Sequence, residues 1–179
     1  AILSKTILGL RAIQDRAPDI ATVRRLTAIA YDQAGETEEA ARALRGAATV
    51  DAAYYPDFVR YLLSHGYRDE ANRALDAFLS IPWEQLRVDA LRHRADLLQS
   101  VGRLDAALAD RRVLARGGQA EDLADLGMLF ALLGMPDDAA AVAESLVGSD
   151  HQLSAVSAGT GVLLEAGLVD GAVKAYLGA

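Results

Sequence analysis

Three histidines, His65, His93 and His151, are the first side chains to ask for chemistry in this chain of 179 residues. No two stand at the short spacing with which a helix presents a pair of imidazoles to one metal ion. The chain has no cysteine, which removes thiolate ligands, cysteine nucleophiles and disulfides together. Ser149, Asp150 and His151 are consecutive, whereas a catalytic triad must converge from separated backbone positions. Ser149 or Asp150 is instead expected to cap a helix. The run from Gly159 through Gly161 has neither a preceding strand nor a third glycine, so it lacks the parts of a dinucleotide-binding loop. Both glycines are expected to let helices approach closely. The carboxylate pairs Glu38 and Glu39, and Asp137 and Asp138, read as solvated first-turn residues, and nothing near them argues for a raised pKa. The expectation is a chain without catalysis, metal or cofactor.

Something other than an active site must therefore use the fold, and the composition says what that fold is. Apolar residues make up 52% of the chain, with four Pro and three Phe, ample for a buried core. Abundant Ala and Leu favour helix over strand. The net charge of −7 is unevenly placed: residues 117–179 carry Lys174 against nine acids. That region repels a phosphate backbone, so nucleic acid is not an expected partner. No apolar run approaches the length that crosses a bilayer, and no signal peptide is visible. The chain starts at Ala1 inside an apparent helix and reads as an excised or processed segment.

Periodicity organises the rest. Gly35, Gly66, Gly102, Gly134 and Gly167 recur at spacings of 31, 36, 32 and 33 residues, the stride of a helical solenoid. Five residues after each stands Ala40, Ala71, Ala107, Ala139 or Ala172, and four before each stands Tyr31, Leu62, Leu98, Phe130 or Leu163. Three positions earlier come Ala28, Val59, Ala95, Gly127 and Thr160. Residues three or four apart share a helix face, so a helix runs up to each Gly. The Gly ends it in the left-handed conformation, and acids such as Glu38, Asp69, Asp105, Asp137 and Asp170 suit the first turn of a second helix. The Ala then sits where the two helices cross.

The segments "YDQAGETEEAARAL", "LLSHGYRDEANRAL" and "LFALLGMPDDAAAVAESL" resemble the tetratricopeptide repeat over nearly the whole chain. The resemblance implies an all-α, right-handed α-solenoid of about five helical hairpins, spanning 19–49, 51–80, 82–116, 119–148 and 150–179. Pro18 falls on the family's inter-repeat Pro, which makes residues 1–16 the second helix of a severed repeat and the whole a fragment of a longer array. Pro56 is expected to start or kink its helix. The segment "LSIPWEQLR" is expected to form an extended corner, with Pro82 near the first turn of the next helix.

In the resembling family the first helix of each hairpin lines a groove that selects the ligand. The corresponding positions are Arg25, Asp32 and Gln33, then Arg60 and Ser64, then Asp89, Arg92, Asp96 and Gln99, and finally Met128, Ala131, Leu132 and Ser157. The lining would pass from charged to nearly apolar. The family's carboxylate-clamp positions hold Arg25, Ile29, Asp57, Asp89 and His93, of which Arg25 alone suits a terminal carboxylate. Arg92 and Asp96 have the spacing of a helical ion pair. Tyr31, Phe130 and Tyr176 fall on interior positions, while Tyr54, Tyr55 and Trp83 lie where the pattern departs from the family. The function implied is a non-catalytic scaffold holding protein partners, with an anionic or cationic polymer as a further partner class. Sixteen Arg against two Lys suit a GC-rich bacterial source, and long arrays of this kind resemble the periplasmic portions of exopolysaccharide export proteins. A cytoplasmic regulatory or assembly factor, or a polysaccharide-binding module, is the alternative.

Overall fold

The computed structural model describes residues 2–148 and 153–177, and every regular element among them is helical. The helices are α1 (Ile2–Arg16), α2 (Ala21–Gln33), α3 (Thr37–Val50), α4 (Tyr55–Ser64), α5 (Arg68–Leu79) and α6 (Val88–Ser100). They continue with α7 (Leu104–Ala115), α8 (Ala120–Leu132), α9 (Pro136–Gly148), α10 (Leu153–Glu165) and α11 (Val169–Leu177). By contacts the chain divides inside α6, after Arg94, into two compact units. Within the first, α1 packs on α2, α2 on α3, α3 on α4 and α4 on α5. Within the second, α8 packs on both α7 and α9, α10 on both α8 and α9, and α11 on α10.

One turn is repeated five times. Gly35 has φ 77°, and Gly66, Gly102, Gly134 and Gly167 lie between 70° and 81°, a region costly for any residue with a Cβ. The N–H of the residue after each Gly reaches back to the carbonyl of Tyr31, Leu62, Leu98, Phe130 or Leu163 at 2.8–2.9 Å, which closes a Schellman cap. That same following residue accepts the first hydrogen bond of the next helix, from the N–H of Ala40, Ala71, Ala107, Ala139 or Ala172. Two residues thus finish one helix and begin another. The large apolar side chain and the alanine of each turn are buried, so the cap is anchored from both sides. Small side chains at such crossings let helix axes approach to about 8–10 Å.

Pro56 stands in the first turn of α4, after a single 3-10 turn at Ala52–Tyr54, where its missing N–H is not needed. Pro82 stands in the expected extended corner, but well before the next helix rather than near its first turn. It is extended, with φ −56° and ψ 140°, and is followed by a 3-10 turn over Trp83–Gln85 and an extended Leu86 before α6 begins at Val88. Arg94, buried on α6, donates to the carbonyls of Phe78 and Ile81 at 3.1 and 2.7 Å, satisfying backbone acceptors that the broken corner leaves exposed to the core.

Two further expectations are corrected. Tyr176 is 68% exposed: its counterparts Leu44, Leu75 and Ala143 are buried in hairpins followed by another helix, and no described helix follows α11. Gly159 does allow close packing, since a Cβ there would lie 2.9 Å from Val147 Cγ2 and 3.0 Å from the Ala143 carbonyl, but Gly161 faces open space. The stronger requirement is at Gly127, where a Cβ would meet the two Val162 methyls at 2.7 and 2.9 Å.

The second unit also buries charge at a position the repeat makes apolar. Arg111 stands nine residues after its Gly, as Leu44, Leu75 and Ala143 do, and is buried with Asp110 and Asp122. Its guanidinium joins Asp96 of α6 to Asp125 of α8, the latter at 2.7 Å, while its Nε is buried without a partner. Asp96 is therefore held from α7. Burial pushes the Asp125 carboxyl above the ordinary range; Arg111 pulls it back down, and the neighbouring Asp96, Glu121 and Asp122 push it up.

Candidate functional site

The first helices of two successive hairpins, α2 and α4, enclose a cleft of about 350 Å³ whose floor includes Ala28 and Leu44. Arg25, Asp32, Arg60 and Ser64 all line it, so the structure brings together four of the positions named from the register. Each is presented by helix periodicity, because residues three, four and seven apart on α2 and α4 share a face.

Polar contacts cross the cleft between the two helices. Arg25 Nε donates to Asp57 Oδ2 at 2.7 Å, and the Tyr61 hydroxyl donates to Asp32 Oδ1 at 2.9 Å. The Tyr54 hydroxyl, in the 3-10 turn before α4, and Thr22 Oγ1 of α2 lie 2.9 Å apart. Protonated His65 would add a second contact to Asp32, 3.7 Å from its Nε2, and its ring packs on Tyr61 with centroids 4.2 Å apart. Burial, then the hydrogen bond to Asp32 and its negative charge, push the Tyr61 phenol up to about 12. Ile29, 41% exposed, is the apolar contact among these charges. A surface with one apolar anchor flanked by Arg25, Asp32, Asp57 and Arg60 fits a polypeptide carrying both charge signs.

The remaining positions stand elsewhere. Gln33 and Asp89 are exposed, and Asp89 accepts from Arg87 at 3.1 Å. Arg92 and Gln99 are half-buried on α6, and Asp96 meets Arg111. Met128 and Leu132 are exposed on α8, Leu132 at 58%; Ala131 is half-buried there and Ser157 is exposed on α10. Arg25, the one residue suited to a carboxylate clamp, already has Asp57 as its counterion. Trp83 is exposed, whereas Tyr55 stacks on Phe78 with centroids 4.9 Å apart. His93 is exposed on α6, and Ser149, Asp150 and His151 lie outside the described residues. Among the described residues there is no group of three metal-ligating side chains, and no helix is long and apolar enough to cross a membrane.

Tyr61 is the groove residue that sequence reasoning missed. Its signal was present: Asp32 and Tyr61 are 29 residues apart, Arg25 and Asp57 32, close to one repeat length. Complementary side chains one repeat apart on first helices are neighbours in space.

Comparison with known proteins agrees with this geometry. No family model and no curated protein matches the chain. Among solved structures, the MamA protein aligns with TM-score 0.55 at 16% identity, covering 88% of each chain. A tetratricopeptide repeat protein from Parabacteroides merdae aligns with TM-score 0.56 at 17% identity, covering 88% of this chain and 64% of its own. YrrB, described as a tetratricopeptide repeat protein with an unusual peptide-binding site, aligns with TM-score 0.55 at 15% identity, covering 93% and 88%. At these identities the likeness is one of fold. The chain has the tetratricopeptide repeat fold, built of successive helical hairpins.

Proposed function

We propose that this chain is a non-catalytic scaffold that docks a protein partner along the α2–α4 groove. The carrying observation is the lining of that groove: an exposed Ile29 set among Arg25, Asp32, Asp57 and Arg60, all from two helices that the repeat holds in register. Support comes from the fold it shares with YrrB, described as having a peptide-binding site. The finer setting we infer is bacterial and periplasmic, in exopolysaccharide synthesis or export, on the Arg-rich composition and the resemblance to arrays of that kind. Fractionation of cells expressing the protein from its native gene tests that setting; recovery in the cytoplasm overturns it.

The docking itself is tested with peptides selected on the intact chain from a random display library. Ile29→Glu should weaken the selected peptides by about tenfold or more, the scale of burying a charge at an apolar anchor. Arg60→Glu should weaken those rich in acids, and Met128→Glu should leave both groups unchanged. Equal affinity for the unmodified chain and Ile29→Glu would place docking elsewhere.

A further inference from the structure

A second cavity, of about 270 Å³, lies between α1, α2 and α3, and none of its lining residues lines the α2–α4 groove. Arg11, Arg24 and Arg42 line it, with Glu39 as its one carboxylate. Glu39 is taken up by Arg42, whose Nη1 donates to both carboxylate oxygens at 2.8 and 2.7 Å. Arg24 uses its Nε on the Pro18 carbonyl at 3.2 Å, and among the described residues its terminal nitrogens make no hydrogen bond. Arg11 lies over the Tyr31 ring, 5.3 Å from the centroid. Among the described residues neither Arg11 nor Arg24 has a carboxylate partner.

Tyr31 supplies an independent observation. It lines this cavity and is 4% exposed, yet among the described residues its hydroxyl has no hydrogen-bond partner. The hydroxyl is not sealed from solvent, so it stands in the cavity wall as a free donor, and three guanidiniums against one carboxylate leave the lining with excess positive charge. A single oxyanion in the cavity accepts from the phenol and offsets that charge. The arrangement has a further device in Gly46 of α3: a Cβ there would lie 2.7 Å from Arg24 Nη1. Glycine inside a helix is unfavourable, and here it gives the Arg24 guanidinium room to lie across α3.

We propose that the Arg11–Arg24–Arg42 cavity, floored by the Tyr31 phenol, is an oxyanion site that takes a carboxylate or phosphate group borne by a docked protein. This rests on the scaffold reading for the source of the anion, while the site itself is testable with small probes. The Arg Nε–Hε signals of the intact chain are followed by NMR during titration with sodium phosphate and, separately, with sodium glutarate, ionic strength being held constant with sodium chloride.

Saturable shifts in Arg11, Arg24 and Arg42, with Arg60 and Arg73 unmoved, are the expected result. Saturation by phosphate alone assigns a phosphoryl ligand, by glutarate alone a carboxylate, and by both a site selecting charge. Arg24→Gln should weaken binding by about tenfold or more, as loss of a charge-assisted donor does. Gly46→Ala should weaken it too, by displacing that guanidinium, without lowering Tm, because Ala is the better helix former. Shifts that stay linear with both anions, or affinities unchanged in Arg24→Gln and Gly46→Ala, overturn the site. If the anions saturate here while selected peptides ignore Ile29→Glu, the groove reading falls and the oxyanion site stands.

Discussion

Arg111 occupies a position that other hairpins fill with Leu44, Leu75 or Ala143, so its replacement by Leu separates what its charge contributes from what its bulk contributes. Its side chain is 5% exposed, whereas its partners Asp96 and Asp125 are 49% and 42% exposed. Carboxylates that open can rehydrate when the cation is removed, so the two ion pairs together are worth only about 1 kcal/mol after screening. Arg111→Ala also loses two buried methylenes, roughly 1.6 kcal/mol, for a loss of about 2–3 kcal/mol before any compensation. Both variants remove a buried Nε without a partner, a group that costs about 1–3 kcal/mol to leave unsatisfied, which offsets part of either loss; Arg111→Leu also keeps the bulk. The Leu variant should therefore lie within about 1 kcal/mol of the unmodified chain and clearly above the Ala variant, as replacement of buried ion pairs by apolar side chains commonly does. Urea unfolding followed by circular dichroism at constant pH measures both. If Leu and Ala destabilise equally, the stability resides in the charge pairs and the reasoning from burial is wrong.

Gly127→Ala should cost about 1–3 kcal/mol by overpacking, because its Cβ would lie 2.7 Å from a Val162 methyl; failure of Val162→Ala to recover part of that loss would contradict the contact. Ala107→Leu, at a fully buried helix crossing, should cost a similar 1–3 kcal/mol, roughly, and an unchanged Tm would place the crossing elsewhere. The Tyr61 phenol, held near 12, should ionise well above the ordinary tyrosine range in an absorbance titration, and Asp32→Asn should lower it. Because its folded value is raised, Tyr61 contributes stability below about pH 10, its ordinary value, and that contribution is lost as pH rises through about 12. Asp125 is likewise raised, so its contribution is full below about pH 3.9 and is lost as pH rises through the folded value. The stability of Asp125→Asn relative to the unmodified chain should then climb as pH rises above about 4; a difference independent of pH would show that Asp125 ionises as an ordinary carboxylate.

The parts of this fold that could be read from sequence are those where one residue type alone meets a local requirement. A left-handed cap requires Gly, and a close crossing requires Ala, so Gly35 with Ala40 and Gly134 with Ala139 mark their hairpins without any knowledge of neighbours. The groove was half legible for the same reason: the register placed Arg25, Asp32, Arg60 and Ser64 on first helices, and α2 and α4 bring them to one cleft. What local patterning could not supply was pairing between hairpins. Asp96 stands four residues after Arg92 and suits an i, i+4 pair, yet it meets Arg111 fifteen residues on. The register did carry a warning, since Asp110 and Arg111 fall where Ala74 and Leu75 are buried. A charge at such a position either breaks the hairpin or finds a partner on the adjoining helices. Asp96 and Asp125, one repeat length apart on α6 and α8, are what an arginine between those helices can reach. The oxyanion cavity shows the converse case, in which Arg11, Arg24 and Arg42 converge from three helices without enough carboxylates to match. Register with charge complementarity one repeat away thus separates arginines that the fold already neutralises from those left for a ligand.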